Sequence, residues 1–459
     1  MYLSTIRKLV LVLSLLCPLL LLTACDNPSY NYKIGGTLSG LTGSGVPGSV
    51  VLQNNGGDNL TLSVNGSFTF ASTVHANSFT DANYNVTILT RPLGQTCTVT
   101  GGSSKAKADI TSVVVNCGTT AATLGVYVAN SGSSSNNVAQ FSISSTGVLS
   151  ASPTSTASTN IPPTALVIDA TNKYLYVAYA SNNTIAQFNL GSAGVVPSTP
   201  TSTVSTIAAP KALAIDPTGK YLYVAVNGNN TILQYTLGTD GRLPTTITTS
   251  ATSGISPNSI TIDRNGQYVY VANYGDGISN GTLTQYTIGA AGALPASWTT
   301  SVATSLHPYG VAIDPAVSHV YVSNSSDNTL YQYTLGAAGA LPASHTASAA
   351  TGLSPNSVII DPLGNYIYVA NSVGNSLSQY TLGSGAALPA TATTTVSTGT
   401  GTAPNAIAMD SAGLYIYSAN YTKGTISQFA IGAAGALPAS AAAPVGSGGA
   451  NPVDIILSR

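Results

Sequence analysis

The sequence predicts an all-β protein built mainly from one repeated unit, and three observations carry that prediction. A near-identical decapeptide recurs, as IGAAGALPAS at 288–297, LGAAGALPAS at 335–344 and IGAAGALPAS at 431–440. The first two copies start 47 residues apart and the third 96 further on, about twice that step; a fixed period of roughly 20–50 residues marks an array architecture. Composition agrees, because the strong helix formers Glu and Lys are absent or scarce while Thr, Val, Ile and Tyr abound. There are 25 Tyr against one Trp, and fourteen Asp with no Glu. Finally, each unit offers four short extended segments in 47–51 residues, and none has a helical period of useful length.

The N-terminus, MYLSTIRKLVLVLSLLCPLLLLTAC, pairs a basic start (Arg7, Lys8) with an apolar run short for a membrane span. Residues 1–24 read as a signal peptide. They end in Leu22-Thr23-Ala24-Cys25, which resembles a bacterial lipobox and implies a lipid on Cys25, followed by a tether over 25–30. Several acyl chains on one residue would hold the protein at a membrane of the cell envelope, on its extracytoplasmic side. Loss of Arg7 and Lys8 leaves eleven basic against fourteen acidic side chains, a net charge of −3. With charged residues at only 6%, there is no basic footprint for nucleic acid. Cys97 and Cys117 then remain as an even pair in an oxidising compartment and are expected to form a disulfide. No further soft ligands stand near them, so neither a metal nor a cofactor is expected.

Residues 31–118 lack the 47-residue period. In TLSVNGSFTF, Asn65-Gly66 separates two alternating runs, which predicts a hairpin. With NVTILT, TCTVT and TSVVVNC, the segment reads as a small antiparallel β-sandwich closed by Cys97–Cys117. It resembles the sandwich modules that follow the anchor in many bacterial surface lipoproteins.

Over 122–459 the landmark is a phrase of the form P-x-x-I-x-I-D, beginning at Pro163, Pro210, Pro257, Pro308, Pro355 and Pro404. A YLYVA-type run follows, then a polar loop, a strand ending Gln-Tyr or Gln-Phe, and the LGAAGALPAS turn. The two apolar runs are nearly continuous, as in strands buried on both faces. Four such strands per unit match a β-propeller blade. The Gln-aromatic pair occurs seven times, from Gln140-Phe141 to Gln428-Phe429. The first unit lacks its Pro phrase, and the C-terminal NPVDIILSR supplies one at Pro452. The expectation is therefore seven blades, with the C-terminal strand completing the first and removing two open sheet edges.

The phrases IDPTGKYLYVAVNGNNTILQYTLGTDGRL and IDPLGNYIYVANSVGNSLSQYTLGSGAAL make residues 122–459 similar to the lactonase-like seven-bladed propellers. That group includes the bacterial 6-phosphogluconolactonase propellers and the YVTN repeat proteins. The resemblance implies fold more strongly than activity, because common folds host unrelated functions.

The repeated Asp169, Asp216, Asp263, Asp314, Asp361 and Asp410 sit at the first position of DPTG-like turns, where the carboxylate caps backbone N–H groups. They are scaffold, and a site is to be sought where the repeats differ. On the channel axis, the residues after each Pro crowd the mouth: Thr164, Lys211, Asn258, Tyr309, Asn356, Asn405 and Val453. Loops after the YVAN-type strand would add Asn273, Tyr274, Asp276, Asn324, Asp327, Asn371 and Asn420. Such a mouth suits a neutral polar ligand, and suits phosphate poorly with Lys211 its one cation.

Of four His, only His307 stands at the mouth, while His319 occupies a slot filled elsewhere by Tyr. The lactonase resemblance implies His, Glu and Arg near the axis; His307 would be the base and Arg264 a distant partner, but no Glu exists to complete the set. The leading expectation is a monomeric, membrane-tethered binding or scaffold module for a neutral polar ligand, an envelope glycan or a protein. The alternative is an exported lactonase acting on a sugar or other neutral lactone.

Overall fold

The computed structural model describes residues 29–41, 49–77, 82–90, 95–119, 125–133, 135–144, 147–289, 292–336, 339–432 and 435–458. Cys25, the signal segment and most of the tether lie outside them. The chain divides into two compact units, one drawn from the residues up to Gly118 and the other holding Thr119–Arg459.

The first unit contains β1 (Ser29–Ser39), β2 (Val50–Asn54), β3 (Asp58–Leu62), β4 (Gly66–Asn77), β5 (Ala82–Thr90), β6 (Gln95–Thr100), β7 (Ser103–Ala106) and β8 (Ile110–Thr119). They form two four-stranded sheets, in the orders β4-β1-β8-β6 and β3-β2-β5-β7. Alternation decides which side chains turn inward: Val50 and Leu52 of one sheet and Ile34, Phe68, Phe70 and Val113 of the other enter one shared core.

Two expectations need correction. The sandwich is not wholly antiparallel, because β1 runs parallel to β8. Nor does Asn65-Gly66 make a hairpin, since β3 pairs with β2 and β4 with β1. Leu60 and Leu62 of β3 pack on the core from one sheet, and Phe68 and Phe70 of β4 from the other, so the chain crosses between sheets there. Asn65 anchors the crossing by accepting from Leu41 N (2.8 Å) and donating to Leu41 O (2.9 Å). The tight hairpin is the β2–β3 turn, where Asn55 (φ 50°) and Gly56 (φ 76°) take the left-handed conformation that short polar residues and glycine tolerate.

Cys97 and Cys117 are bonded, linking the neighbouring strands β6 and β8 inside the core. A closed loop of this length restrains the unfolded chain by about 3 kcal/mol. Replacing both cysteines by alanine is expected to lower the stability of this unit by about that amount in urea unfolding, leaving the propeller transition unmoved.

The second unit consists of seven four-stranded antiparallel sheets. Inner strands are Ala165–Ile168, Pro210–Ile215, Pro257–Ile262, Pro308–Ile313, Pro355–Ile360, Pro404–Met409 and Pro452–Leu457. The last pairs with Gly125–Asn130, from Pro452↔Asn130 to Leu457↔Val126, and so completes blade 1 from the two ends of the array. The Ser458 hydroxyl accepts Gly125 N at 2.6 Å just beyond the ladder. Blades 2 to 7 follow in chain order. Second and third strands are buried almost throughout, as Tyr221–Val226 shows. Their side chains fill joints shared by adjacent blades; Tyr176 and Ala178 of blade 2, for instance, pack with Leu213, Leu222 and Tyr235 of blade 3.

Those joints explain the repeated decapeptide. The Gln that ends a third strand reaches the turn of the next blade. Gln285 donates to Gly339 O at 2.6 Å and accepts from Leu341 N at 3.2 Å; Gln234 does the same with Gly292 and Leu294. The turn glycine takes positive φ and lies against the tyrosine that opens the previous blade's second strand, as Gly292 (φ 79°) does on Tyr221. A buried amide satisfied on both its donor and its acceptor fixes the angular step between blades. Repetition of the turn follows from repetition of the joint.

The repeated aspartates cap their own turns, as expected. Asp263 Oδ1 accepts from Gln267 N and Tyr268 N at 2.7 and 2.6 Å, and its other oxygen from Asn265 N at 3.1 Å. Asp410 keeps only the first pair, from Leu414 and Tyr415, and its buried Oδ2 accepts nothing from the described residues. Burial consequently pushes its carboxyl up to about 6. A folded-state value above the unfolded one means that ionisation opposes folding: the penalty is absent below about pH 4 and complete above about pH 6. Asp410→Asn is therefore expected to raise stability by about 1–3 kcal/mol at pH 7.5. The gain should fade towards pH 4, which denaturation curves at the two pH values check.

Candidate functional site

Each of six inner strands opens with a β-bulge. Pairing skips one residue between Pro210 and Ala212, and likewise after Pro257, Pro308, Pro355, Pro404 and Pro452. The skipped residue has no cross-strand partner, and a bulge of this kind re-aims a side chain. Lys211, Asn258, Tyr309, Asn356, Asn405 and Val453 are those residues, and with Thr164 of blade 2 they ring a cavity of about 240 Å³ on the axis. A second tier below them is small in six blades (Ala165, Ala212, Ser259, Gly310, Ser357, Ala406) and Asp454 in blade 1.

Much of the amide content of the ring holds blades together. Thr164 donates to Pro210 O at 3.1 Å, Asn258 to Tyr309 O at 2.9 Å and Asn405 to Val453 O at 2.7 Å. Asn356 donates to Asn405 Oδ1 at 3.3 Å. Lys211 differs, because its ammonium has no hydrogen-bond partner among the described residues; burial lowers its pKa, partly offset by the charge of Asp454. Tyr309 is half-buried, and burial raises its hydroxyl pKa. Asp454 Oδ2 accepts Leu166 N of blade 2 at 2.7 Å and Oδ1 accepts Ile455 N at 2.8 Å. Burial nevertheless outweighs those bonds and the nearby Lys211 charge, and pushes the carboxyl up to about 6.

Several expected site residues lie elsewhere. Asn324 is fully buried within blade 5, donating to Thr329 Oγ1 at 3.2 Å. Asn273, Asn371 and Asn420 are fully buried in the same register, because the last residue of a second strand turns between blades. Asp276 is exposed and caps Ile278 N and Ser279 N in its own loop. Tyr274 is outside the cavity lining and stacks on His307, ring centroids 4.2 Å apart, with Tyr309 edge-on at 6.5 Å.

His307 is not in the cavity either. It holds the left-handed conformation (φ 56°) that Ser256, Ser354, Ala403 and Asn451 also adopt where the chain turns into an inner strand. Its Nδ1 pairs with the Ser326 hydroxyl, and its buried Nε2 has no partner among the described residues. Arg264 donates to Pro315 O at 3.1 Å in the turn at the far end of its strand, so His307 and Arg264 are not brought together. His319 is buried against Asp314 at 3.1 Å, as a packing substitute would be. Among the described residues, no cluster of three His, Cys or Asp could hold a metal ion.

Asp454 is the residue that sequence reasoning misses. The signal is present: at the second position after Pro, six phrases carry a small residue and the last carries a carboxylate. Read only as the closing strand, that phrase hides the difference.

The family model described as "Lactonase, 7-bladed beta-propeller" matches residues 196–309 and 279–387. No curated protein matches the chain. Among solved structures, a periplasmic gluconolactonase of Pseudomonas aeruginosa is 16% identical with a TM-score of 0.61, covering 73% of this chain and 99% of that one. A candidate 6-phosphogluconolactonase from Bacteroides fragilis is 17% identical with a TM-score of 0.60, covering 74% and 99%. A protein from Lactobacillus plantarum is 15% identical with a TM-score of 0.62, covering 73% and 99%. At such identities the likeness speaks for fold, and the seven closed sheets speak for the same architecture. The larger unit of this chain is a seven-bladed β-propeller, similar in part of its length to the family described as a lactonase propeller.

Proposed function

We propose that this chain is an extracytoplasmic, lipid-anchored protein whose propeller binds a small polar molecule in the axial cavity. The observation that carries the reading is the cavity, about 240 Å³ walled by amides, hydroxyls, one ammonium and one carboxyl. That volume lies just below the roughly 300–1,000 Å³ of drug-sized ligand sites, which favours a single small molecule over a polymer. The lipobox-like segment ending at Cys25 supports the anchor, and the Cys97–Cys117 bond suits an oxidising compartment. A thermal-shift panel of small polar metabolites tests the binding; a uniformly flat response would end the reading. Cys25→Ala is expected to move the protein from the membrane to the soluble fraction.

A second reading, lactone hydrolysis, is favoured by the family match. Against it stand the absence of Glu, the position of His307 outside the cavity and the separation of Arg264. A general base works within hydrogen-bond reach of the atom it deprotonates. The expected result is no hydrolysis of a sugar δ-lactone above its spontaneous rate; a clear rate abolished by His307→Ala would establish the lactonase instead.

A further inference from the structure

Resting on the axial-cavity reading, we propose that the cavity is a proton-linked site for a small monovalent organic anion, in which Lys211 meets the ligand's charge and Asp454 takes up a proton as it binds.

The scaffold does not need a carboxyl at position 454. In blades 4 and 6 the equivalent residues, Ser259 and Ser357, serve the same joint with neutral hydroxyls, facing Val311 N at 3.4 Å and Ile407 N at 3.3 Å. Four other blades do without any such group, having Ala or Gly there. Placing an ionisable acid in a half-buried tier is unfavourable unless something uses it. Across the short side chains of blade 2, Asp454 is near enough to Lys211 for each to act on the other's charge. Among the described residues they are the only oppositely charged groups lining the cavity, and Lys211 has no hydrogen-bond partner of its own there.

An incoming carboxylate would meet the ammonium favourably and an ionised Asp454 unfavourably. Once protonated, Asp454 keeps its two backbone donors and gains an O–H for the ligand, so the site offers two donors to one anion. One proton enters for each ligand bound, and no other group need change state. Tyr309 in the same ring and Tyr127 on the paired strand both have hydroxyls whose pKa burial raises, so they stay neutral throughout. The inner strands of blades 2 and 7, which flank Asp454, carry no titratable side chain.

Because the folded carboxyl titrates near 6, the site is closed to anions well above that pH and open below it. Apparent affinity should then rise about ninefold from pH 8 to pH 7 and a further five- to sixfold to pH 6 before levelling off, about 90-fold in all by pH 5.

Calorimetric titration of lactate into the purified full chain, in paired buffers of low and high ionisation enthalpy, reads both quantities. The expected result is that affinity profile, with uptake of about one proton per lactate at pH 7.5. Lys211→Met should abolish lactate binding. Asp454→Asn, which keeps a side-chain oxygen for Leu166 N, should bind with the wild-type pH 5 affinity at every pH and without proton uptake. Lactate affinity in the wild type that does not change with pH, or that both variants retain unaltered, overturns the proposal. Glycerol is the neutral comparator: if it binds and lactate does not, the anion is wrong and the cavity reading stands. If neither binds at any pH, both are overturned.

Discussion

A chain ending at Asn451 is expected to lose its cooperative propeller transition. Removing Pro452–Leu457 deletes the inner strand of blade 1 and leaves Gly125–Asn130 with an open edge. Ile455 loses its buried site in the joint between blades 1 and 7, and Pro452 is buried as well. Each buried aliphatic side chain stabilises by about 1.5–3 kcal/mol and each ladder hydrogen bond by about 1. The sum, about 5 kcal/mol or more, rivals the whole stability of an ordinary domain. The truncated chain should aggregate or melt far below the full chain in circular dichroism, and a synthetic peptide of residues 450–459 added in trans should restore part of the transition. A truncated chain that melts like the intact one would show that the termini do not close the ring.

Gly292→Ala is expected to be among the most damaging point changes in a joint. A Cβ at this left-handed position (φ 79°) would lie 2.1 Å from Tyr221 Cε2, in a ring held between two blades. Conformational strain adds to the overlap, for a total of about 2–5 kcal/mol. Blade 6 supplies the natural counterpart. Ala386 stands at the equivalent position of its turn with φ 58°, and its carbonyl accepts the Gln332 amide at 2.7 Å, as Gly292 O accepts Gln234. A side chain is admitted there because the preceding blade carries His319 in the tyrosine slot, tied to Asp314. Ala386→Gly should therefore change stability by less than about 1 kcal/mol, since relief of the left-handed strain is offset by the freedom glycine adds to the unfolded chain. Chemical denaturation of the two variants measures the difference. The double variant Gly292→Ala/Tyr221→Ala should be less destabilised than the sum of its parts, since truncating the ring removes the overlap. An effect at position 292 as small as that at 386 would contradict the joint.

Particular residues show how far sequence reasoning reaches. The six aspartates, each opening a tight turn, are legible as caps because the turn chemistry is local and recurs. His319 is legible as a packing substitute because the other blades supply the comparison. Asn65-Gly66 misleads because a turn dipeptide reports that the chain bends, while the choice of strand partner depends on which sheet each flanking run joins. Asn324 and its counterparts are misplaced because the side of a strand end that faces the cavity depends on the register of its neighbour. The bulge after each Pro puts Lys211 and Tyr309 in the ring; the residue before Pro308, His307, is turned away by the left-handed bend.

Repetition alone determined the strand content, the seven-fold count and the meeting of the two ends, because a periodic chain states the same local solution many times. The tertiary structure decided which side chains share the axis. Ring closure brings Asp454, from the last strand, into the same cavity as Lys211, from the third blade, and their separation in the chain hides that juxtaposition. Their charges act on each other only because closure draws both into a half-buried cavity, where water screens them less than it would at the surface.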